Sequence, residues 1–315
     1  MNILITGASG NLGSRVARHL LSSPHRLHLA LHKSPLPSDL SGHANVSVRR
    51  VDLAERETLR QACAGIDCVV HFAGVLFAPL PERFLPKTNV VFVQNLLDAA
   101  GNAGVRKFVL ASFPHVEGET TPERPAVGRL DAISNVVHFR TRLEAERCLL
   151  EACKDSSMVP VVFRAGIVYG EGIKLVEGAR WMLRHRLMAI WRKPTWAHLI
   201  ALPDFLAALQ AAIEGRDVRG IYHVCDAAPL TLQDFLDKLA YHYNSPLAWR
   251  LPAWMFHAAA ISCEAVALIL RTPTPLNRDL IRAGMMSCVA DNSRMKRELL
   301  PTLAYPTIAE GIRLL

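Results

Sequence analysis

Residues 6–21, TGASGNLGSRVARHLL, decide the fold. They follow a short apolar run, NILIT at 2–6, and place Gly7, Gly10 and Gly13 in a GxxGxxG spacing. Behind the glycines comes a helical pattern whose apolar positions include Val16, Leu20 and Leu21. Glycines at this point allow a tight strand-to-helix turn and let the backbone approach a pyrophosphate, whose charge is favoured at the positive end of the helix. Gly7, Ser9, Gly10, Asn11, Leu12 and Gly13 are therefore candidate cofactor-binding residues. A glycine triplet alone also describes an ordinary βα turn, and it is the strand before and the helix after that weigh towards a dinucleotide.

Further along, the apolar runs RLHLALH, VSVRRVD, CVVHFA, KFVLAS, VPVVFRA and GIYHVCD alternate with helix-like segments, such as the one carrying Val91, Leu96, Leu97 and Ala100. This alternation predicts an α/β fold, a Rossmann-type doubly wound parallel sheet covered on both faces. After about Gly170 the pattern turns helix-rich, at 174–196 and beyond Pro229, while 197–226 still supplies a helix and a strand. The expected organisation is a cofactor-binding Rossmann domain, 1–171 and 197–226, and a small, discontinuous, helix-rich C-terminal substrate-binding lobe, 172–196 and 227–315. The stretch EGETTPERPAVG, 117–128, is expected as a loop.

The composition is that of a well-packed globular protein: half of the 315 residues are hydrophobic and 20% are charged. The net charge of +8 suits an anionic partner, but the basic residues are spread along the chain, which speaks for a phosphate-bearing cofactor or substrate over nucleic acid. Seven cysteines form no CxxC pair and lack zinc-ligand spacing, so no metal site is expected and the thiols read as reduced. With the first strand starting almost at Met1 and no leader-like run, the expected location is cytoplasmic. The longest apolar stretch, 253–270, is interrupted by His257 and Glu264 and is expected as a core helix; peripheral membrane contact stays open.

The second strand should end beside the adenosine ribose, where a carboxylate suits NAD and basic groups suit the 2′-phosphate of NADP. It ends in His32 and Lys33, with Arg15 just past the glycine loop, so NADP(H) is favoured over NAD(H). Solvated loop residues are the competing reading.

These residues together resemble the extended short-chain dehydrogenase/reductase family, which includes nucleotide-sugar epimerases, dihydroflavonol reductases and 3β-hydroxysteroid dehydrogenases. The resemblance runs over almost the whole chain. VDLAERETL, with Asp52 and Leu53, is similar to the family's adenine-contacting strand end, and HFAG, with Phe72, Ala73 and Gly74, to its cofactor-lining segment. Asn89 falls on its asparagine-bearing helix, and FRAGIVYGEG, with Ala165 and Ile167, on its RxxxVYGxG turn. LPDF at 202–205 and IYHVCDAAPLTLQDFLDKLA match later segments. Family members often dimerise through two helices per subunit, which implicates 88–103 and 135–151 in a homodimer.

In the family a Tyr and a Lys four residues on form the acid/base pair, and that pattern falls on HFRTRLEAE, 138–146. His138 stands for the Tyr and Arg142 for the Lys. The family's hydroxyl donor falls on Phe113, with Ser112 one residue earlier and pointing to the other face of the strand. Histidine exchanges protons near neutral pH, and Arg142 can hold ribose hydroxyls and lower the His138 pKa by like-charge repulsion. His138, Arg142, Ser112 and His115 are thus the candidate catalytic residues. Reduction of a carbonyl, or the reverse, stands against a cofactor-binding protein without turnover, such as a redox sensor or complex subunit, and against an epimerase-like enzyme.

On the substrate side, 178–196 interleaves arginines with Trp181, Trp191 and Trp196. This reads as a roof over a small-molecule pocket, as a nucleic-acid grip, or as an amphipathic helix with Trp inward. Trp249, Trp254, Met255 and Phe256 suggest an apolar wall and a hydrophobic substrate.

Overall fold

The computed structural model describes residues 1–74, 80–270, 272, 274 and 276–315. The chain begins β1 (Asn2–Thr6), α1 (Asn11–Leu20), β2 (Arg26–Leu31), β3 (Val46–Arg50), α2 (Arg56–Cys63) and β4 (Cys68–His71). It continues through α3 (Pro81–Leu85), a π-helical turn (Pro86–Val91) and α4 (Phe92–Asn102) into β5 (Lys107–Ser112), a 3₁₀ turn (Pro114–Glu117), α5 (Val137–Ala152) and β6 (Val159–Ala165). Then follow β7 (Ile167–Tyr169), α6 (Lys174–Arg184), β8 (Ala189–Trp191), β9 (Trp196–Ala197), β10 (Leu199–Ala201), α7 (Leu202–Glu214) and β11 (Gly220–Val224). The remainder includes β12 (Leu230–Thr231), α8 (Leu232–His242), β13 (Trp249–Leu251), α9 (Ala253–Leu270) and α10 (Arg278–Met285).

All seven expected strands enter one parallel sheet, ordered β11-β6-β5-β4-β1-β2-β3. The runs are apolar without alternation because both faces are covered: Ile3, Leu4 and Ile5 of β1 are all wholly buried. Val16 and Leu20 of α1 and Phe205 and Leu209 of α7 pack one face, while Leu59 of α2, Leu96 and Leu97 of α4, and Leu149 of α5 pack the other. The chain leaves β1 for β2 and β3, then returns to β4 on the opposite side of β1. Strand order therefore reverses between β1 and β4, and the crevice beyond their carboxyl ends is where such sheets bind ligands. Thr6 and His71 are partners in register at that point, and the Thr6 Oγ1 to His71 Nδ1 distance is 2.8 Å.

Outside the main sheet lie three two-stranded sheets, β7–β10, β9–β12 and β8–β13, with helices around them. Two expectations fail here. Helix α9 is not a core helix, since only 6% of it is buried. The lobe offers it a single stripe of contact, in which Phe256 meets Trp191 at 5.7 Å, Ala260 is buried and Glu264 pairs with Arg278 at 2.7 Å. Trp181, Trp249 and Trp254, expected to roof or wall a pocket, lie mostly in solvent instead.

Candidate active site

The glycine loop is closed by contacts that exclude side chains. Gly7 sits at φ +71°, and a Cβ at Gly13 would come within 2.2 Å of the Gly7 carbonyl oxygen. A Cβ on Gly7 would come within 2.8 Å of Ala73 N, at the end of β4. Helix α1 starts at Gly10 without a side-chain cap, so its first-turn N–H groups point free at the crevice. That cradle fits a pyrophosphate. Gly13→Ala is expected to cost about tenfold or more in cofactor affinity, because backbone must move. Gly101→Ala, on α4 with nothing within 4 Å, should leave affinity unchanged and stabilise the helix by roughly 0.5–1 kcal/mol. Titration and melting of the two variants check both expectations.

Asn11 fixes the helix start to the lobe, donating to the Gly172 carbonyl at 2.9 Å and accepting from Lys174 N at 3.0 Å. Arg15 is drawn to the same turn: a Cβ on Gly172 would meet its Nη2 at 2.0 Å. Its guanidinium thus lies against the turn after β7, just past the glycine loop. Residues His32 and Lys33 do follow β2 directly, both exposed, but His32 Nε2 lies 3.4 Å from Asp52 Oδ2. Sequence reading placed the basic pair without seeing that β3 brings a carboxylate to it. Leu53 accepts from Asn95 through its carbonyl, holding the end of this strand to α4.

Beyond β4 the polar groups gather around Gly74. A Cβ there would lie 2.8 Å from Arg142 Nη2 and 3.7 Å from Asn89 Oδ1. Asn89 sits in the π-helical turn, a local widening common at functional sites, and donates to Thr141 Oγ1 at 3.1 Å. Its Oδ1 and the Arg142 Nε are buried and unpartnered. Unmet buried polar groups are costly, and here they mark room for a polar ligand. Ala165 and Ile167 flank Gly166, whose Cβ would lie 2.4 Å from the His198 carbonyl, and both are half-buried. Gly74, Asn89, Arg142 and the glycine cradle are consistent with a nicotinamide dinucleotide running along the crevice.

On α5, His138, Arg142 and Glu146 lie one turn apart on one face. His138 stacks on Phe113 at 4.9 Å with rings 19° apart, and neither ring nitrogen has a partner. Burial, then the charge of Arg142, then His115, push its pKa down to about 3. The expectation that it titrates near neutrality is therefore corrected: the like-charge effect has the expected sign, but desolvation is larger. Burial lowers Arg142 to about 10 against the opposing pull of Glu146, so it stays cationic at pH 7. His115 is neutral too, lowered by burial to about 4, with its ring 5.3 Å from Phe139.

Ser112 is removed from the catalytic candidates. Its hydroxyl donates to Glu146 Oε1, one turn beyond Arg142 on α5, and is taken up in a buried ionic network. Arg164, fully buried, joins that network, with Nη2 2.6 Å from Glu146 Oε2 and Nη1 paired to Glu117. The sequence reading missed Glu146, Glu117 and Arg164, although Glu146 continues the His138/Arg142 face in HFRTRLEAE. It also missed His71, buried and lowered to about 3 by desolvation and then Arg142. The seven cysteines are free, and no metal-holding cluster occurs among the described residues.

An open cleft of about 620 Å³ lies beyond the 3₁₀ turn that carries His115 and before the start of α5. Ile133, Val136, Met285 and Met286 give it apolar walls, and His257 and Arg282 stand among its polar groups.

The NAD dependent epimerase/dehydratase family has a sequence model that matches residues 3–229. The chain belongs to this family. The chain is 27% identical over 298 residues to a 2-alkyl-3-oxoalkanoate reductase of Stenotrophomonas maltophilia, covering 89% of this chain and 88% of that protein. A 3 beta-hydroxysteroid dehydrogenase/Delta 5-->4-isomerase of Mycobacterium tuberculosis is 25% identical over 258 residues, 74% of this chain and 67% of that one. The UDP-glucuronic acid 4-epimerase of Bacillus cereus, solved with UDP-glucuronic acid and NAD, superposes with a TM-score of 0.78 at 18% identity. That comparison covers 100% of this chain and 97% of the other, and the shared fold is what it shows.

Proposed function

We propose that this member of the family is a nicotinamide-dependent reductase that delivers hydride to the carbonyl of a small apolar substrate, with NADP(H) preferred. The observation that carries the reading is the α5 face, where a neutral imidazole without partners stands one turn before a guanidinium that reaches Gly74. A bound nicotinamide would supply the hydride. Arg142, with the Asn89 Oδ1, holds ribose hydroxyls. His138 acts as a neutral N–H donor to the substrate oxygen, strengthening that bond as the oxygen becomes an alkoxide and yielding a proton replaced from solvent. Phe113 fixes the imidazole plane by stacking and keeps water off it. The relatives named for an oxoalkanoate and a steroid support an apolar substrate, for which Ile133, Val136, Met285 and Met286 offer one part of an otherwise polar cleft. Lys33 and His32 support the 2′-phosphate, although Asp52 competes for His32.

Parallel fluorescence titrations with NADPH and NADH, followed by turnover of medium-chain 3-oxo esters, test this. NADPH should bind about tenfold tighter, the worth of one phosphate–cation contact, and Lys33→Glu should erase the difference. His138→Ala should lose about 100-fold in kcat while keeping NADPH affinity. Because the His138 pKa lies near 3, kcat should show no acid limb near pH 6.5. Equal affinities would end the NADP assignment, and unchanged turnover in His138→Ala would end the role of His138. An absence of turnover with NADPH bound would favour a cofactor-binding protein.

A further inference from the structure

Surface helices normally turn charged residues to water. Helix α9 does not. Twelve of its eighteen positions are exposed, none of the twelve is charged, and Ser262 is the most polar of them. At 100° per residue all but the first of them, Ala253, sweep roughly 200° of the circumference, from Leu268, Ile261 and Trp254 round to Val266 and Leu270. Its two ionisable side chains, His257 and Glu264, lie on the opposite arc against the lobe. The helix is thus built in reverse, with polarity towards the protein and grease outward. Leu268 is 68% exposed and Ile269 79%. A dry arc this wide exceeds the narrow seam that one partner helix covers.

What adjoins the start of α9 is basic and aromatic. Strand β13 leads into α9, and exposed Trp249 donates from Nε1 to the Arg186 carbonyl at 3.1 Å. Arg192 donates to the Arg250 carbonyl at 3.2 Å, beside the Trp191 on which Phe256 packs. Arg184, Arg186, Arg192 and Lys193 are all exposed here, in a chain of net charge +8. Tryptophan at the end of an apolar helix with arginines behind it is the pattern that suits a headgroup boundary.

We propose that this lobe docks on an anionic lipid bilayer, with α9 lying in the interface and its outer arc among the acyl chains. The bond from Glu264 to Arg278 and the Phe256 and Ala260 contacts hold the helix to the lobe, so it lies in the membrane plane and does not span it. The lobe supplies the polar side that an interfacial helix otherwise carries itself. The surface is independent of the reductase reading, since none of its residues belongs to the cofactor crevice.

Flotation of the full chain with vesicles of phosphatidylcholine carrying roughly 30% phosphatidylserine tests it, beside pure phosphatidylcholine vesicles and light scattering without lipid. The wild type should float with the anionic vesicles, with a blue shift in tryptophan emission. The double variant Leu268→Glu, Ile269→Glu should lose about tenfold or more in partitioning with an unchanged Tm, because both side chains already face out. The pair Arg186→Glu, Arg192→Glu should lose binding most at low salt. The proposal is overturned if the wild type stays in the aqueous phase, if the Glu variant floats equally well, or if the same variant instead dissolves a lipid-independent dimer.

Discussion

Arg164→Ala is expected to lower the unfolding free energy by about 3–5 kcal/mol, read as a fall in the urea midpoint at unchanged slope. The guanidinium is fully buried and divides its donors among Glu146, Glu117 and the Arg129 carbonyl at 3.0 Å. Burial would raise the Glu117 carboxyl. The His223 hydrogen bond, the Arg164 charge and the Gly128 N–H overcome that and hold it down to about 2. Removing the cation leaves two carboxylates in a desolvated pocket, and unpaired buried charge is what makes such deletions severe. The triple change Arg164→Met, Glu117→Gln, Glu146→Gln should therefore recover most of the loss, since the carboxylate charge goes with the cation. If Arg164→Ala alone cost less than about 1 kcal/mol, the pocket would be wetter than it looks. The network also positions the site, because Glu146 sits one turn beyond Arg142 on α5.

Strands and crevice were legible because both follow from local chemistry. Seven apolar runs bounded by helical periodicity can pair only as a covered parallel sheet, and a GxxGxxG turn has backbone requirements that no other residue meets. Strand alternation alone predicts opposite faces for Ser112 and Phe113, yet both meet α5, Ser112 through Glu146 and Phe113 through His138. The protonation state of His138 was not legible, because it depends on Phe113 and Arg142 closing over the ring, a contact made between elements remote in sequence. The packing of Arg15, two residues past Gly13, on Gly172 is a remote contact of the same kind. Helix α9 was misplaced for a different reason: an apolar run reports a preference for leaving water and says nothing of whether protein or lipid receives it.

Acidification from pH 7 to pH 5 is expected to unfold the protein steeply. His71 and His138 are lowered to about 3, and His115 and His198 to about 4, in each case chiefly by desolvation. Unfolded histidine titrates near 6.5, so between these values the unfolded chain binds protons that the folded one refuses, and stability falls as pH falls. Asp226 opposes with one proton. Burial raises it to about 8, so the folded state is the more protonated at this group between roughly pH 4 and 8. Near pH 5 the balance is three extra protons on the unfolded chain, a slope of about 4 kcal/mol per pH unit, or a Tm falling by roughly 6 °C per unit. Above pH 7 the histidines are neutral in both states and the sign reverses, with Asp226 and, towards pH 8.5, the buried cysteine thiols that desolvation raises giving a decline. Urea unfolding at half-unit intervals from pH 4.5 to 8.5 measures the curve. A slope near pH 5 below about 1.4 kcal/mol per unit would mean that the four rings are hydrated in solution. The same linkage separates stability from chemistry in the acid range. Sucrose, which strengthens the folded state, should carry an unfolding-driven loss of activity to lower pH, whereas a titrating group within the site would stay where it is.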